Sequence, residues 1–337
     1  MSSYLRVSLV IPAYNARAFI ARALESVERQ SRPPDEIIVI DDGSKDGTDL
    51  EVIKFARSSR LIINLVRTPN RGTPAARNTG IAHSSGEIIA MLDADDVLYA
   101  TFLEQGMRAF EDHPAWAVFF SDRDIVDSDG RFLGKDLACD AFQSLGKRRI
   151  DGNLVELLEE GLFQKTLYGS AIPMTCMFRR SALNSVGGFD ESLAYGDDRL
   201  LMLRLMQIGA KFGYVDEALG TWQRHENNKT ASKNLLARCP SSWAILDKAR
   251  SHQIPLGMDP QTERAFHNAY CQLARSWTYA ASRTGSNDTV ALCMRFLRAG
   301  QLGVWRCAKA LMRYGFVRAH NGFCRVFTSN RITPNTF

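Results

Sequence analysis

Long hydrophobic runs are missing from this chain of 337 residues. Its longest charge-free apolar stretches, such as Ile88 to Leu92 and Trp116 to Phe120, are roughly a quarter of the ~20 residues that a helix needs to cross a bilayer. The first apolar run, Val7 to Ile11, ends at Pro12 without the basic segment and small-residue cleavage site of a secretory signal. We therefore expect no transmembrane helix and a cytoplasmic location.

Cysteine is also scarce, and its pattern excludes several kinds of site. The seven cysteines are odd in number, scattered and free of any CxxC pair, which argues against a disulfide framework, a zinc site or a redox centre. No GxGxxG loop follows the first apolar run, so a dehydrogenase that binds a dinucleotide is not expected. The chain lacks an aromatic-basic RNA signature and a helix-turn-helix pattern, and we expect no nucleic acid partner.

Charge is distributed unevenly along the chain. There are 42 Lys and Arg against 37 Asp and Glu, a net charge of +5. Residues 230–337 carry 15 basic and 4 acidic side chains, a net charge of +11, which leaves −6 for residues 1–229. With 45% hydrophobic residues the chain has the composition of a soluble globular protein of about two domains. We predict one domain over residues 1–229 and a basic, mainly helical region over residues 230–337.

The first half of the chain alternates β-branched runs with helical segments. Apolar residues from Phe19 to Val27 recur at helical spacing, and Pro33 ends that segment before the next strand begins. This rhythm predicts an α/β fold with a mostly parallel sheet flanked by helices. Beyond residue 115 we expect a hairpin turn at Asp127 to Gly130 and then a weakly structured connection up to about residue 170. The predicted strands are Val7 to Ile11, Glu36 to Ile40, Leu61 to Val66 and Glu87 to Leu92.

Polar residues follow three of these strands directly. In open α/β sheets, ligands bind where the carboxyl ends of strands meet loops. Tyr14 offers an aromatic face for a nucleobase, and Asn15 offers hydrogen-bond donors and acceptors. Asp42, before Gly43, can equally belong to a tight turn. The candidate binding residues at these strand ends are Pro12, Tyr14, Asn15, Asp42, Asp93 and Asp95.

Asp93 and Asp95 are spaced two residues apart after the fourth strand. That spacing lets both carboxylates turn toward one divalent cation that prefers oxygen ligands, such as Mg²⁺ or Mn²⁺. Such a cation could bridge a diphosphate. The alternative is that the two residues cap a helix that begins near Thr101.

A series of motifs follows one another along the chain. They are Val7 to Asn15, Ile38 to Ser44, Asn70 to Gly80, Met91 to Asp96, Gly187 to Glu191, Asp197-Asp198 and Leu203 to Leu205. In order and spacing these motifs resemble those of family 2 glycosyltransferases with the GT-A fold. The resemblance covers about residues 5–228 and fades after Asn228.

The resemblance implies an inverting hexosyltransferase with a GT-A catalytic domain over residues 1–229 and a C-terminal helical extension. Such an enzyme moves a sugar from a nucleotide diphosphate-sugar, with a UDP-sugar as the expected donor, to an acceptor hydroxyl, with Mn²⁺ or Mg²⁺ as cofactor. By resemblance, Asp42 contacts the base, and Asp93 and Asp95 hold ribose and metal, with Asp95 as the direct ligand. Pro12, Tyr14 and Asn15 then line the base pocket.

Two further residues are identified through the same resemblance. Arg77 is similar to a family position behind the pyrophosphate and the metal-binding loop, where its guanidinium could pair with an Asp or a phosphate; the alternative is a charge on a helix surface. His225 resembles a position on a loop that closes over the donor phosphates. It could be a third metal ligand or a phosphate contact, or an ordinary polar side chain.

The catalytic base is Asp198 or its neighbour Asp197. An inverting displacement needs a general base on the acceptor side, and alignment through Leu201 to Leu205 favours Asp198. Because the family usually has Glu or Gln in the place of Asp197, the two roles could be shared or exchanged. The alternative is that Asp198 only caps the helix predicted over Leu200 to Ile208.

We expect the enzyme to add a single sugar to each acceptor molecule. Processive polysaccharide synthases of the family carry QxxRW after the catalytic Asp, whereas Gln272 to Trp277 contains an extra residue and lies far downstream. We expect non-processive transfer to a glycan or lipid-linked acceptor in the assembly of a surface polysaccharide or glycolipid. A nucleotidyltransferase or a noncatalytic module that binds sugar nucleotides is the alternative.

The basic C-terminal region has the pattern of an amphipathic helix. Three cations three and four residues apart lie on one helical face, beside an apolar stripe, which is typical of a helix on an anionic membrane surface. We expect a peripheral contact with the inner face of the plasma membrane, the alternative being a helical subdomain with a solvated basic surface. The residues are Arg306, Lys309 and Arg313, and Leu302, Trp305 and Met312.

Overall fold

The computed structural model describes residues 5–169, 172–225, 228, 234–284, 286–303 and 306–314. The chain divides into two compact units. The first contains residues 1–228 and 247–258, and the second contains residues 229–246 and 259–337. The division after residue 228 lies next to the predicted boundary, and residues 247–258 group with the first unit.

A mixed sheet of eleven strands forms the centre of the described part of the first unit. The strands are β1 Val7–Ala13, β2 Glu36–Asp41, β3 Ile63–Arg67, β4 Ile88–Met91, β5 Val97–Leu98, β6 Trp116–Val126, β7 Phe132–Lys135, β8 Lys147–Asp151, β9 Leu154–Leu157, β10 Cys176–Arg179 and β11 Lys211–Gln223. Their order is β3-β2-β1-β4-β10-β6-β11-β9-β8, with β5 paired to β11 and β7 to β6. The four predicted strands are β1 to β4.

Helices flank this sheet. They are α1 Ile20–Glu28, α2 Thr48–Ser58, α3 Thr73–His83, α4 Phe102–Asp112, α5 Asp140–Gln143, α6 Leu162–Thr166, α7 Arg180–Ser185 and α8 Asp197–Gln207. The predicted helix is α1, which buries Ile20, Ala23, Leu24 and Val27 on one face. These side chains belong to the same apolar core as the odd-numbered residues of β1 and the buried face of α4.

The central part of the sheet is parallel, as the alternating pattern predicts. Val10 of β1 lies opposite Ile38 of β2 and Met91 of β4. Because these three strands run in one direction, their carboxyl ends meet at the same edge of the sheet. On one face α3 approaches so closely that a Cβ added at Gly80 would lie 2.2 Å from Cγ1 of Val10. A glycine at that position lets the helix pack directly on the strand.

The second part of the sheet is built differently. β10 runs antiparallel between β4 and β6, and β11 runs parallel to β6. Near its end β11 also pairs with the short strand β5, with Gly220 opposite Leu98 and Thr221 opposite Val97. This pairing brings the segment after β4 next to the end of β11.

The predicted hairpin turn is confirmed, but the weakly structured connection up to residue 170 is wrong. β6 and β7 pair around Asp127, whose Oδ1 accepts hydrogen bonds from the N–H groups of Asp129 and Arg131. Residues 136–166 then contain a 3₁₀ turn, α5, the β8–β9 hairpin and α6. β8 has the sequence KRRID at the edge of the sheet and is mostly exposed on both faces, so it shows no alternation of apolar and polar residues.

The second unit is helical. α9 Leu235–Gln253 begins in it, and α10 Pro260–Thr284, α11 Asp288–Arg298 and a helix over residues 306–314 follow. Its apolar core includes Phe296 of α11, packed among Trp243, Trp277 and Leu292. Among the described residues, no helix is both long enough and apolar enough to cross a membrane.

The predicted amphipathic face is present only in part. Arg306, Lys309 and Arg313 are all exposed. The predicted apolar stripe is wrong, because Leu302 lies in the core of the second unit while Met312 is 66% exposed. Trp305 and all residues after 314 lie outside the described residues.

Candidate active site

The loops after β1 and β2 are tied together by Asn15. This residue has a φ of 49°, in the left-handed region that Asn tolerates better than most residues. Its N–H donates to Oγ of Ser44 at 2.9 Å, and its Oδ1 accepts the N–H of Lys45 at 2.9 Å. Pro12 is buried within β1, whereas the Tyr14 side chain is 52% exposed. The predicted aromatic face is therefore accessible at the edge of the sheet.

Asp42 is buried and organises a third loop. Its Oδ1 accepts the N–H of Arg71 at 2.9 Å, and its Oδ2 accepts the N–H of Gly72 at 2.8 Å. The tight turn anticipated at Asp42-Gly43 is present, since Gly43 has a φ of 76°, but the carboxylate that accepts the N–H of Ser44 belongs to Asp41. Asp42 thus positions residues 71–72 at the amino end of α3.

Arg77 lies on α3 and is buried, so the alternative of a surface charge is wrong. Its Nη2 donates to Oδ1 of Asp93 at 2.8 Å, and its Nη1 donates to Oδ2 of Asp197 at 2.6 Å. The guanidinium also lies 5.3 Å from the centre of the Phe189 ring. Burial lowers the pKa of Arg77, but the two carboxylates raise it by a larger amount. The pKa is therefore raised overall, and the side chain stays charged. Arg77 therefore joins the segment after β4 to the start of α8.

The segment after β4 makes a tight turn in which the N–H of Asp96 donates to the carbonyl oxygen of Asp93 at 3.0 Å. The capping alternative for Asp93 and Asp95 is wrong, because no side chain caps α4. Instead, Oδ2 of Asp95 lies 3.0 Å from Nε2 of His225. Burial and the nearby charge of Asp93 raise the pKa of Asp95, while the hydrogen bond from His225 opposes them.

The pairing of β5 with β11 explains why residues 130 positions apart meet. β5 begins two residues after Asp95, and β11 ends two residues before His225. The antiparallel register therefore brings both side chains to one end of the ribbon. The imidazole also stacks on Phe19, with ring centres 5.1 Å apart and planes 13° apart. These contacts fix the direction of the ring.

Asp95 and His225 offer an oxygen and a nitrogen that suit Mn²⁺, or Mg²⁺ through the oxygen. In the described part of the chain, no group of three or more His, Cys, Asp or Glu side chains forms a metal site. A cation that a protein holds by one or two side chains takes its other ligands from water or substrate phosphates. Oδ1 of Asp93, the third predicted ligand, points to Arg77. The donor set therefore fits a cation that binds together with a diphosphate.

Asp197 and Asp198 differ in their surroundings, although they are adjacent. α8 begins at Asp197 after Gly196, which has a φ of 73°. Asp197 is buried against Arg77, whereas Asp198 is partly exposed and accepts the N–H of Arg199 at 2.8 Å. Burial and the neighbouring Asp197 raise the pKa of Asp198, and Arg77 opposes this. A raised pKa brings a carboxylate closer to the range in which it accepts a proton effectively.

Two interactions escaped the sequence reasoning. Asn78, one residue after Arg77, binds both the N–H and the carbonyl oxygen of Phe189, at 2.9 and 2.8 Å. Arg123 of β6 pairs with Asp96 in the interior. The only signals were the position of Asn78 inside a matched motif and the acidic residue directly after Asp95, because pairs this far apart in sequence leave no local pattern.

The sequence profile described as "Glycosyl transferase family 2" matches residues 8–187. This stretch covers more than half of the chain and contains Asp42, Arg77, Asp93 and Asp95. The chain belongs to glycosyl transferase family 2. The amylovoran biosynthesis glycosyltransferase AmsB of Erwinia amylovora is 30% identical over 221 residues, which are 64% of this chain and 68% of AmsB.

Other relatives are matched over a smaller part of their length. An uncharacterized glycosyltransferase of Rickettsia bellii is 29% identical over 229 residues, which are 68% of this chain but 30% of that protein. The chain spans about a third or less of the length of the first curated relatives that it matches.

Solved structures share the fold of this chain. S. aureus TarS, crystallised with UDP-GlcNAc, matches 94% of this chain and 92% of its own at 16% identity, with a TM-score of 0.54. The mannosyltransferase PcManGT from Pyrobaculum calidifontis, in complex with GDP-Man and Mn²⁺, matches 96% of this chain and 88% of its own at 19% identity, with a TM-score of 0.54. The predicted fold class, α/β of GT-A type with a largely parallel central sheet flanked by helices, is confirmed.

Proposed function

We propose that this glycosyltransferase moves a sugar from a nucleoside diphosphate-sugar to an acceptor hydroxyl with inversion and with the help of a divalent cation. The observation that carries the proposal is the Asp93–Arg77–Asp197 bridge, with distances of 2.8 and 2.6 Å. It links the acidic turn after β4 to the first residue of α8, and the next residue is Asp198. A donor site and a candidate base are thereby held at a fixed separation by one rigid guanidinium.

The donor nucleotide is proposed to bind at the carboxyl edge of β1 and β2. The exposed ring of Tyr14 supplies a stacking face for the base, and Pro12 and Asn15 shape the pocket beneath it. Asp42 accepts hydrogen bonds from residues 71 and 72 and retains lone pairs with which to accept one from the base. We infer a UDP-sugar as donor, since TarS was crystallised with UDP-GlcNAc.

The cation is proposed to bind between Asp95 and His225, with Asp93 beside it. A divalent cation there would offset the negative charge of the leaving diphosphate. Mn²⁺ or Mg²⁺ suits this donor set, and PcManGT was crystallised with Mn²⁺. The residues of the chain fix the geometry: β5 and β11 set the separation of the two side chains, and Phe19 sets the plane of the imidazole.

Asp198 is proposed to act as the general base. Ionised Asp198 accepts the proton of the acceptor hydroxyl. The hydroxyl oxygen attacks the anomeric carbon from the face opposite to the diphosphate, and this inverts the configuration as the nucleoside diphosphate leaves. The amino end of α8 favours the ionised carboxylate, while burial and Asp197 keep its pKa above the ordinary value. Asp197 serves a different purpose, since it holds Arg77.

A single sugar is proposed to be added per reaction, in the assembly of a surface polysaccharide or glycolipid. AmsB is named for amylovoran biosynthesis, and another relative from Escherichia coli, 39% identical over 104 residues, is named as a glucosyltransferase that acts on a diphosphoundecaprenol-linked acceptor. A glycan or lipid-linked acceptor is therefore the class to test first.

The second unit is proposed to contact an anionic membrane surface peripherally, at the inner face of the plasma membrane. Its last described helix exposes Arg306, Lys309 and Arg313 together with Met312. Cations near an anionic leaflet contribute about 1 kcal/mol each. We expect the protein to bind vesicles that contain phosphatidylglycerol at low salt. Replacement of the three cations by Gln should reduce that binding, and wild-type protein that stays unbound at low salt would refute the contact.

Two measurements test the proposed activity. In a thermal-shift screen, a nucleoside diphosphate should raise the melting temperature more with Mn²⁺ than without it, because a ligand that binds the folded state stabilises it. Incubation with Mn²⁺ and a panel of nucleotide sugars should then release nucleoside diphosphate. Release of pyrophosphate from a nucleoside triphosphate supplied together with a sugar 1-phosphate would instead indicate a nucleotidyltransferase. Binding of a nucleotide sugar without release of nucleoside diphosphate, even with acceptors supplied, would indicate a noncatalytic module.

A further inference from the structure

Arg123 lies at the centre of a buried network beside the acidic turn. It is on β6 and is 8% exposed. Its Nη1 donates to Oδ2 of Asp96 at 3.2 Å and to Oγ1 of Thr175 at 3.3 Å. Its Nε and Nη2 both donate to Oδ2 of Asp136, at 3.0 and 2.6 Å. The guanidinium also lies 5.5 Å from the centre of the Trp222 ring. One side chain thus connects five separate segments.

Asp96 passes this connection on to the end of β11. While its Oδ2 accepts from Arg123, its Oδ1 accepts the N–H of Gln223 at 3.1 Å. Asp96 directly follows Asp95, and Gln223 lies two residues before His225. The carboxylate therefore links the two backbone segments that carry the proposed metal ligands, on the side where those ligands meet.

The network is costly to break at Arg123. Asp96 is 2% exposed, and a buried carboxylate that loses its cation is left uncompensated in a medium of low dielectric constant. A movement of Asp96 toward water would pull on Asp95 and release the N–H of Gln223. The side chain of Asp136 would lose its partner at the same time.

We propose that Arg123 is a positioning residue that holds Asp95 and His225 at the separation required for the cation. The role of the cation in this inference rests on the proposed function. The effect of Arg123 on the backbone around Asp96 and Gln223 does not. Arg123 also connects the acidic turn to the 3₁₀ turn Asp136–Ala138.

The test compares Arg123→Gln with Arg123→Lys, and Arg131→Gln serves as a matched control. Arg131 lies on the neighbouring hairpin, where its side chain is 79% exposed. Hydrogen exchange of the backbone N–H of Gln223, measured without metal or nucleotide, should be at least tenfold faster in Arg123→Gln than in the wild type. It should be partly restored in Arg123→Lys and unchanged in Arg131→Gln. Unchanged exchange in folded Arg123→Gln would overturn the positioning role, whether or not the proposed function holds.

A second measurement addresses the cation. Titration of Mn²⁺ in the presence of UDP, followed by electron paramagnetic resonance of free Mn²⁺, should give at least tenfold weaker binding in Arg123→Gln, while UDP binding without metal stays within twofold of the wild type. Equal Mn²⁺ affinity in the two proteins would overturn the inference. A wild type that binds no Mn²⁺ with UDP would instead contradict the proposed function, and the exchange experiment would still decide the role of Arg123.

Asp136→Asn keeps the inference testable if Arg123→Gln does not fold. It removes the charge of one partner of Arg123 and leaves Asp96 paired. We expect a smaller change in the same direction, with about threefold faster exchange at Gln223 and about threefold weaker binding of Mn²⁺. An Asp136→Asn protein that matches the wild type in both measurements would refute the proposed link.

Discussion

Replacement of Asp198 by Asn separates the roles of the two adjacent carboxylates at the start of α8. Asp197 is buried and bonds to Arg77 at 2.6 Å, while Asp198 is partly exposed and, among the ion pairs of the described residues, takes part in none. Asn has nearly the same shape as Asp but accepts no proton. The substitution therefore removes the proposed base and leaves the Asp93–Arg77–Asp197 bridge in place.

The expected loss of activity follows from the size of general base catalysis. A positioned base contributes about 10²- to 10⁴-fold to a rate, so kcat of Asp198→Asn should fall by that factor, or about 3–5.5 kcal/mol at 1.36 kcal/mol per factor of ten. The free energy of unfolding of Asp198→Asn, in contrast, should be equal to or higher than that of the wild type. The pKa of Asp198 is raised in the folded state, so its ionised form at pH 7 opposes folding, and the neutral Asn removes that penalty.

Asp197→Asn is the matched control, because it changes the neighbouring residue in the same way. It leaves the buried Arg77 with one carboxylate partner, Asp93. Removal of one partner from a buried ion pair costs about 3–5 kcal/mol, which corresponds to a decrease of ~10 °C in melting temperature for a domain of this size. Its turnover, measured below its melting transition, should exceed that of Asp198→Asn by at least tenfold.

Both variants are assayed by release of nucleoside diphosphate at saturating donor and Mn²⁺, with melting temperature measured on the same samples. Asp198→Asn should turn over about 10²- to 10⁴-fold more slowly than the wild type and be at least as stable. Asp197→Asn should be less stable and more active than Asp198→Asn. Turnover of Asp198→Asn within fivefold of the wild type would refute the assignment of the base. So would the reverse order of the two activities.

Three further predictions concern pH, metal and stability. Because the base must be ionised, kcat/KM should rise with pH through the raised pKa of Asp198, and the residual rate of Asp198→Asn should lack that rise; equal pH profiles would contradict this. Asp95→Asn should weaken binding of Mn²⁺ with UDP at least tenfold in calorimetry, and unchanged affinity would exclude Asp95 as a ligand. Burial raises the pKa of Asp190, but hydrogen bonds from Ser192 and Lys248 have the larger effect and lower the pKa to about 2. The ionised Asp190 therefore stabilises the folded state fully above the unfolded pKa of about 4, and this stabilisation is lost as the pH falls toward 2. Asp190→Asn should therefore lower the free energy of unfolding by about 2 kcal/mol at pH 7 in urea titrations, and a difference from the wild type that persists unchanged at pH 2.5 would refute the reasoning.

The sequence predicted the parallel half of the fold because that half follows local rules. β1 to β4 are short apolar runs that end in polar residues, and α1 has a clear helical period. The β8–β9 hairpin was missed because β8 is exposed on both faces. The apolar stripe of the second unit was wrong because Leu302 packs into a core that it shares with residues of α10 and α11.

The candidate site shows the same limit. The motifs identified Asp95, His225 and Arg77 separately, but only the antiparallel pairing of β5 with β11 reveals that the first two meet at 3.0 Å. The partners of Arg77 lie 16 and 120 residues away, and no local pattern encodes such pairs. The distinction between Asp197 and Asp198 likewise depends on burial against Arg77, which the sequence alone leaves open.

The most direct test of the central claim is the product formed from a nucleotide sugar. Wild-type protein and Asp198→Asn would be incubated with Mn²⁺, UDP-sugars and a set of glycan and lipid-linked acceptors, and the products would be separated by chromatography and examined by NMR at the anomeric carbon. We predict UDP release and a glycoside of inverted configuration from the wild type, and both at rates about 10²- to 10⁴-fold lower from Asp198→Asn. A product of retained configuration, or equal turnover by both proteins, would contradict the account.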